Sequence, residues 1–301
     1  MSSGYRIDPR RGADEEVRRI VEDRIQRADE ALALPRDRGA EGVHEARKRL
    51  KEIRAVVRLV RPHLGKRFGS ENTRYRDIAR GLSGIRDAAA LVECWDALVA
   101  DEPRRFSSTA MQRVRERLAA RADAAGQGAD ADAVAAARQS LGDARAALSD
   151  WPLPRDGFAL FRGGLARTFG DGARALAAVE KGITDERLHE WRKRVKDHWY
   201  HTCLFERCWP EMLEARRRCL KGLSDALGDD HDLAVMHALM AEEPALFGAA
   251  ATRAAIVRAV SRRRTRLTRR AVATGRRLYA EEGDVLVARW RAYWRLTRKG
   301  R

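Results

Sequence analysis

Two histidines each open a run of cationic residues, and the two runs have almost the same sequence. His44 begins His-Glu-Ala-Arg-Lys-Arg-Leu-Lys, and His189 begins His-Glu-Trp-Arg-Lys-Arg-Val-Lys. Guanidinium and ammonium groups concentrated in this way bind oxyanions through charge-assisted hydrogen bonds, and a neighbouring anion raises the proton affinity of an imidazole. The pattern therefore predicts a binding site for a polyanion.

The cations that follow each histidine fall on one face of a helix at about 100° per residue. Apolar residues such as Leu50, Ile53 and Val57 collect on the opposite face of the first helix. Like charges three and four residues apart each cost roughly a few tenths of a kcal/mol, so a bound anion best explains the pattern. The predicted binding residues on the two helices are His44, Arg47, Lys48, Lys51, Arg54, Arg58, His189, Arg192, Lys193 and Lys196. Arg49 and Arg194 fall away from these faces, and we expect them not to contribute.

Arginines also recur at intervals of four residues later in each half of the chain. The further predicted binding residues are Arg113, Arg117, Arg258, Arg262 and Arg266. The alternative interpretation is that these arginines form a solvated face or ion pairs between helices.

The two histidine-led runs lie 145 residues apart, and the same offset aligns Arg113 with Arg258. A constant offset over most of the chain indicates a tandem duplication, with two equivalent halves related by a pseudo-two-fold axis. We place an N-terminal helical bundle at residues 5–150 and a C-terminal one at 158–298. Residues 149–157 contain two prolines and a glycine and form the linker. Because this linker is short, we expect the halves to pack together.

The residues between these runs predict an all-α fold. Ala, Leu, Arg and Glu dominate, and Gly or Pro recurs at intervals of about one helix. The predicted helices are 14–34, 41–62, 67–84, 86–101, 106–125, 130–149, 158–181, 185–208, 210–228, 230–243, 249–281 and 284–297. The acidic run from Asp229 to Asp232, which includes His231, is interpreted as the N-cap of the helix that starts at residue 230.

The composition favours an anionic partner. The 301 residues include 61 Lys and Arg against 44 Asp and Glu, a net charge of +17, which attracts nucleic acid, anionic membranes or phosphate polymers. The alternative is that an arginine-rich composition carries no functional information. The four cysteines form no C-x-x-C pair, so we expect neither a metal nor a disulfide framework. Without an apolar leader or a run of about eighteen apolar residues, we expect a soluble cytoplasmic protein with no membrane partner.

At its histidine-led runs the chain resembles the CHAD domain family, the conserved histidine α-helical domains. The family motif has basic residues at the third, seventh and tenth positions after the histidine, and His44, Arg47, Lys51 and Arg54 match it. In the second half His189, Arg192 and Lys196 match, and Trp199-Tyr200 closes the motif. The resemblance covers roughly residues 5–298. It implies two four-helix bundles with a basic channel between them, binding of inorganic polyphosphate and association with polyphosphate granules.

Three functions remain open on the sequence. The leading hypothesis is a non-enzymatic polyphosphate-binding protein without a cofactor or catalytic residue. We expect phosphate or sulfate to occupy its binding site in crystals. A linear polyanion offers no base edges, so a row of cations suffices to bind it. A nucleic-acid-binding protein would need aromatic residues that stack on bases, or Asn and Gln that read a groove. A polyphosphate- or triphosphate-processing enzyme would need clustered carboxylates that hold a metal, or a glycine-rich phosphate loop.

Overall fold

Over the part that the computed structural model describes, the chain forms helices and no strand, which confirms the predicted all-α class. That part comprises residues 4–35, 38–82, 86–126, 131–155 and 157–299, without the side chains of residues 86–89 and 125–126. Within it the α-helices are α1 (Ala13–Leu32), α2 (Gly39–Leu59), α3 (Arg61–Leu64), α4 (Arg67–Gly81), α5 (Arg86–Asp101), α6 (Thr109–Gly126), α7 (Ala131–Ala146), α8 (Ala159–Lys181), α9 (Asp185–Phe205), α10 (Pro210–Glu242), α11 (Ala250–Leu278) and α12 (Gly283–Lys299).

Local signals fix where the second histidine-led helix, α9, begins. The Thr184 hydroxyl accepts a hydrogen bond from the backbone N–H of Arg187 at 3.3 Å, so it caps the helix. Asp185 and Glu186 follow in the first turn, where acidic side chains complement the helix dipole. Pro210 then starts α10, at a position where its missing N–H costs no hydrogen bond.

The helices of the first half pack as α1 on α2, α2 on α4, α4 on α7 and α7 on α1. In the second half α8 packs on α9, α9 on α10, and α10 on α11, while α11 and α12 both contact α8. The halves join where α2 lies against α8 and α9, and their buried residues form one continuous core. The prediction that the halves pack together is confirmed.

A second core was not predicted from the sequence. Trp95 of α5 and Phe106 pack edge to face with 5.4 Å between ring centroids. Around them, buried residues of α5 and α6 pack against buried residues near the C-terminus of α10 and the N-terminus of α11, among them Met236 and Ile256. The α5–α6 pair of the first half is therefore held by helices of the second half.

One predicted helix boundary is wrong. Residues 210–242 form a single helix, so the acidic run from Asp229 to Asp232 lies inside α10 and caps nothing. The Asp230 carboxylate accepts a hydrogen bond from Arg264 of α11 at 3.0 Å, and Asp229 lies 3.5 Å from Arg263. The run resembles an N-cap in sequence, but its carboxylates pair with arginines of the neighbouring helix.

A buried ion-pair network joins α1 to α2. Arg24 and Glu52 are both fully buried and lie 3.1 Å apart, and Arg49 donates to the same carboxylate at 3.0 Å. The Tyr5 hydroxyl donates to the backbone oxygen of Glu52 at 3.1 Å. Removing one partner would leave an uncompensated buried charge, which typically costs about 3–5 kcal/mol.

Helices α2 and α8 approach each other closely at a glycine. A Cβ added at Gly164 of α8 would lie 1.8 Å from the backbone oxygen of Leu59, so Gly164→Ala forces the backbones of α2 and α8 apart. We expect this change to lower the free energy of unfolding by about 3 kcal/mol, measured by urea denaturation. Gly222→Ala in α10 is the control, since a Cβ there meets no atom within 4 Å. It should raise stability by about 0.5–1 kcal/mol. Equal stability of the two variants would contradict this packing.

A buried histidine should make the stability depend on pH. The Nε2–H of His201 donates to the backbone oxygen of Ala55 at 2.9 Å, and burial lowers the pKa of His201 from 6.5 to about 4. As the pH falls through this window the unfolded chain binds a proton that the folded chain does not, so stability is full above about pH 6.5 and is lost below it. We expect wild type to lose on the order of 2 kcal/mol more than His201→Gln between about pH 7 and about pH 5. The exposed His237→Gln serves as the control. Parallel stability curves for wild type and His201→Gln would refute this account.

Candidate functional site

A cleft of about 560 Å³ lies where the two histidine-led helices pack side by side. We call it the basic cleft. Its lining residues are Lys51, Arg54, Arg58, Arg61, Phe68, Asn72, Arg167, Thr168, Asp171, His189, Arg192, Lys193, Arg194, Lys196, Asp197 and Tyr200. Nine of these described residues are Lys or Arg and two are Asp, so the cleft carries a strong excess of positive charge.

On the α2 side, the basic face that lines the cleft consists of Lys51, Arg54 and Arg58. The Arg54 guanidinium donates to the side-chain oxygen of Asn72 on α4 at 3.3 Å. Burial and the neighbouring Arg58 charge lower the pKa of Arg54 to about 10. A guanidinium that is destabilised by burial and by like charge gains from any anion that enters the cleft.

A single buried carboxylate links the two helices at the cleft floor. Asp197 of α9 accepts a hydrogen bond from Arg58 of α2 at 2.8 Å, and Arg194 lies 3.9 Å from its other oxygen. Burial raises the pKa of Asp197, and the charges of Arg58, Arg194 and Arg54 oppose that rise. Asp197 thus neutralises part of the charge of Arg58, and it leaves Lys51 and Arg54 facing the cleft.

On the α9 side His189, Arg192, Lys193 and Lys196 line the cleft, as the sequence predicted. The Lys193 ammonium and Glu190 form an ion pair on the helix surface. The His189 imidazole is partly buried and packs against the ring of His231 from α10, with 4.6 Å between ring centroids. Burial, followed by the charges of His231, Lys193 and Arg192, lowers the pKa of His189, and Glu190 opposes this change.

Three predicted residues at the start of α2 lie outside the cleft lining. Arg47 donates to the backbone oxygen of Leu82 at 2.9 Å and ties α2 to the end of α4. The Lys48 ammonium lies 3.4 Å from Glu45, and His44 lies 4.0 Å from the same carboxylate. Of the two predicted histidines, His189 lines the cleft and His44 does not.

The arginine ladders of α6 and α11 are also not brought to the cleft. Arg262 forms a two-pronged ion pair with Glu102, Arg266 pairs with Asp101 at 2.6 Å, and Arg117 donates to the backbone oxygen of Ala245 at 2.9 Å. Arg113 and Arg258 are exposed on the same two helices. These contacts agree with the alternative interpretation, ion pairs between helices, for Arg262 and Arg266.

Several lining residues were missed by the sequence analysis. Arg61 stacks on the ring of Phe68 at 4.3 Å, and Arg167 projects from α8. Arg194 was expected to lie away from the binding face, and that expectation is wrong because α8 closes the cleft on that flank of α9. Arg49 is buried in the ion-pair network with Glu52 and does not line the cleft. No repeated spacing marks Arg61 or Arg167, and only tertiary packing brings them in.

A second, larger groove of about 720 Å³ lies between α9 and α11 and has a different chemistry. Its floor includes the apolar residues Leu188, Val260 and Val272. Two of its arginines are already paired with acids, Arg264 with Asp230 and Arg276 with Glu180. The excess of cations therefore singles out the basic cleft as the candidate polyanion site.

The fold and the cleft define an all-α protein with a cation-lined cleft, and the family comparison agrees with that class. The family model of the CHAD domain matches residues 19–241, about three quarters of the chain, so the chain belongs to the CHAD domain family. CHAD domains are known in general to bind polyphosphate. No curated protein matches the chain.

Two absences concern the residues that the structure describes. Among these, no helix is long and apolar enough to cross a membrane. Within the same residues, no group of three or more His, Cys, Asp or Glu side chains is arranged to hold a metal ion.

Proposed function

We propose that this protein binds inorganic polyphosphate in the basic cleft and does not process it. The observation that carries the proposal is the convergence of cations from two sequence-distant helices, Lys51 and Arg54 of α2 with Arg192 and Lys196 of α9, on one cleft. A polyphosphate chain presents a regular row of negative charges with no stereochemistry to read. Hydrogen bonds from charged donors and the release of condensed counterions supply the binding free energy.

The proposal includes an architecture for the site. We take α1, α2, α4 and α7 as one four-helix bundle and the cleft as the channel between this bundle and its counterpart. The counterpart consists of α8, α9, the first part of α10 and the segment that spans the end of α11 and the start of α12. The offset of 145 residues supports this arrangement, because it carries α1 almost onto α8 and α2 almost onto α9. Residues 5–150 and 158–298 are then the two halves, and both contribute to one binding surface. Association with polyphosphate granules belongs to the same proposal and rests on the family alone.

Nucleic acid is the second candidate ligand, favoured by two aromatic residues in the cleft lining. Phe68 and Tyr200 line the cleft beside the cations, and an aromatic face can stack on a base. However, Arg61 already covers the Phe68 ring at 4.3 Å, and Tyr200 is only 7% exposed. Little aromatic surface is therefore left for stacking, which supports polyphosphate over nucleic acid.

The first test removes two cleft cations. Lys51→Ala with Arg54→Ala should weaken polyphosphate binding at low salt by at least about a hundredfold, since each hydrogen bond to a charged group contributes about 1.5–3 kcal/mol. Fluorescence anisotropy with labelled polyphosphate measures the affinity, and circular dichroism checks that the helices are intact.

The matched control for this double variant is Arg113→Ala with Arg258→Ala. It removes the same charge from exposed sites on α6 and α11 that do not line the cleft. Its affinity should stay within about threefold of wild type. If both double variants lose the same affinity, binding follows net charge and the cleft is not the site.

The second test compares ligands and salt. Polyphosphate binding should weaken steeply as the salt concentration rises, because each neutralised phosphate releases condensed counterions. In a competition assay polyphosphate should displace double-stranded DNA of equal total charge, and the recovered polymer should keep its chain length. Tighter binding to DNA would favour the nucleic-acid function, and shortening of the polymer in the presence of Mg²⁺ would favour an enzyme.

A further inference from the structure

Two imidazoles lie in contact at one end of the basic cleft. His189 of α9 lines the cleft, and His231 of α10 packs against it with 4.6 Å between ring centroids and 41° between ring planes. Both side chains are partly buried. Of these two histidines, only His189 is predicted from the sequence to bind an anion, because His231 lies within an acidic run.

The Arg192 guanidinium lies beside this histidine pair. A Cβ added at Gly228, which lies one turn before His231 on α10, would be 3.6 Å from the Nη2 atom of Arg192. The charge of Arg192 acts on both imidazoles, that of Lys193 acts on His189, and that of Lys196 acts on His231. Two half-buried imidazoles thus share their surroundings with three cations.

The nearby acids are engaged elsewhere. Glu190 pairs with Lys193 and Arg194 on the surface of α9. Asp230 and Asp185 both pair with Arg264 of α11. On the α5 side of α10, Asp229 and Asp232 line a separate small cavity with Glu93 and Arg263. Asp230 and Asp185 still raise the pKa of His231, and Glu190 that of His189, but burial and the cations outweigh these acids, since the pKa of each imidazole is lowered.

Burial and the neighbouring cations disfavour protonation of both imidazoles. Burial comes first among the causes that lower the pKa of each imidazole, and it is followed by His231 and Lys193 for His189 and by Arg192 for His231. A phosphate group placed among these residues adds negative charge beside both imidazoles. The imidazolium form then gains an ionic partner, so anion binding and proton binding favour each other.

We propose that His189, His231 and Arg192 form a phosphate subsite of the basic cleft that takes up a proton from solvent together with a phosphate group. The inference deepens the proposed function and rests on it. Lys51, Arg54 and Lys196 hold the polymer at any pH near neutrality, and the histidine pair adds affinity as the pH falls. Under the 145-residue offset His231 corresponds to Arg86, so the pair belongs to the second half of the sequence repeat only.

The test measures polyphosphate affinity against pH at constant ionic strength. Long-chain inorganic polyphosphate is the probe, since its internal phosphates are strong acids that stay ionised over this range. Affinity of wild type should rise on the order of tenfold between about pH 7.5 and about pH 5.5. Calorimetry in buffers of different ionisation enthalpy should detect proton uptake on binding, and circular dichroism should show an unchanged fold at both pH values.

The double variant His189→Gln with His231→Gln should still bind polyphosphate at about pH 7.5 and should lose most of the rise at low pH. His237→Gln is the control, because His237 also lies on α10 but lines the larger groove between α9 and α11 instead of the basic cleft. A wild-type affinity that does not change with pH, or a double variant that keeps the full rise, overturns the subsite. A wild type that fails to bind polyphosphate at low salt and about pH 7.5 overturns the proposed function itself.

Discussion

A buried carboxylate offsets part of the repulsion between the basic faces of α2 and α9, which lie side by side. Asp197 accepts a hydrogen bond from Arg58 at 2.8 Å and lies 3.9 Å from Arg194, so it joins the two helices across the cleft floor. At short range and away from bulk water, like charges repel strongly, and one anion offsets part of that cost. The remaining excess of cations is directed at the open side of the cleft.

The same position of the sequence repeat carries a buried acid in both halves, and the two acids have different partners. Glu52 and Asp197 lie 145 residues apart, and each has an arginine three residues before it, Arg49 and Arg194. Glu52 also pairs with Arg24 and holds α1 to α2 inside one half. Asp197 takes Arg58 from the other half instead. A duplicated ion pair thus stabilises a bundle in one copy and the junction between copies in the other.

Positive charge is spread over the whole chain, so its amount does not locate a site. Many arginines pair with acids on neighbouring helices, such as Arg115 with Asp96 and Arg138 with Asp29. Exposed pairs of this kind contribute at most about 1 kcal/mol each, and they also neutralise the arginine. The basic cleft differs because nine described cations face two carboxylates there. Local imbalance of charge, and not net charge, marks the region where a polyanion gains most.

The sequence alone determined the all-α fold, most helix boundaries to within three residues and the cationic faces of α2 and α9, because amphipathic periodicity and the repeat of residue types are local properties of the chain. The predicted helix end at Gly228 is wrong. The carboxylates that follow it look like an N-cap in sequence, but they lie inside a continuous helix and form ion pairs with arginines of α11. Tertiary structure alone decided that Arg194 and Arg167 reach the cleft while Arg47 and Arg262 do not. It also brought His231 onto His189. Which cation faces an open cleft and which meets an acid depends on the helices that pack around it, and those neighbours are far away in sequence.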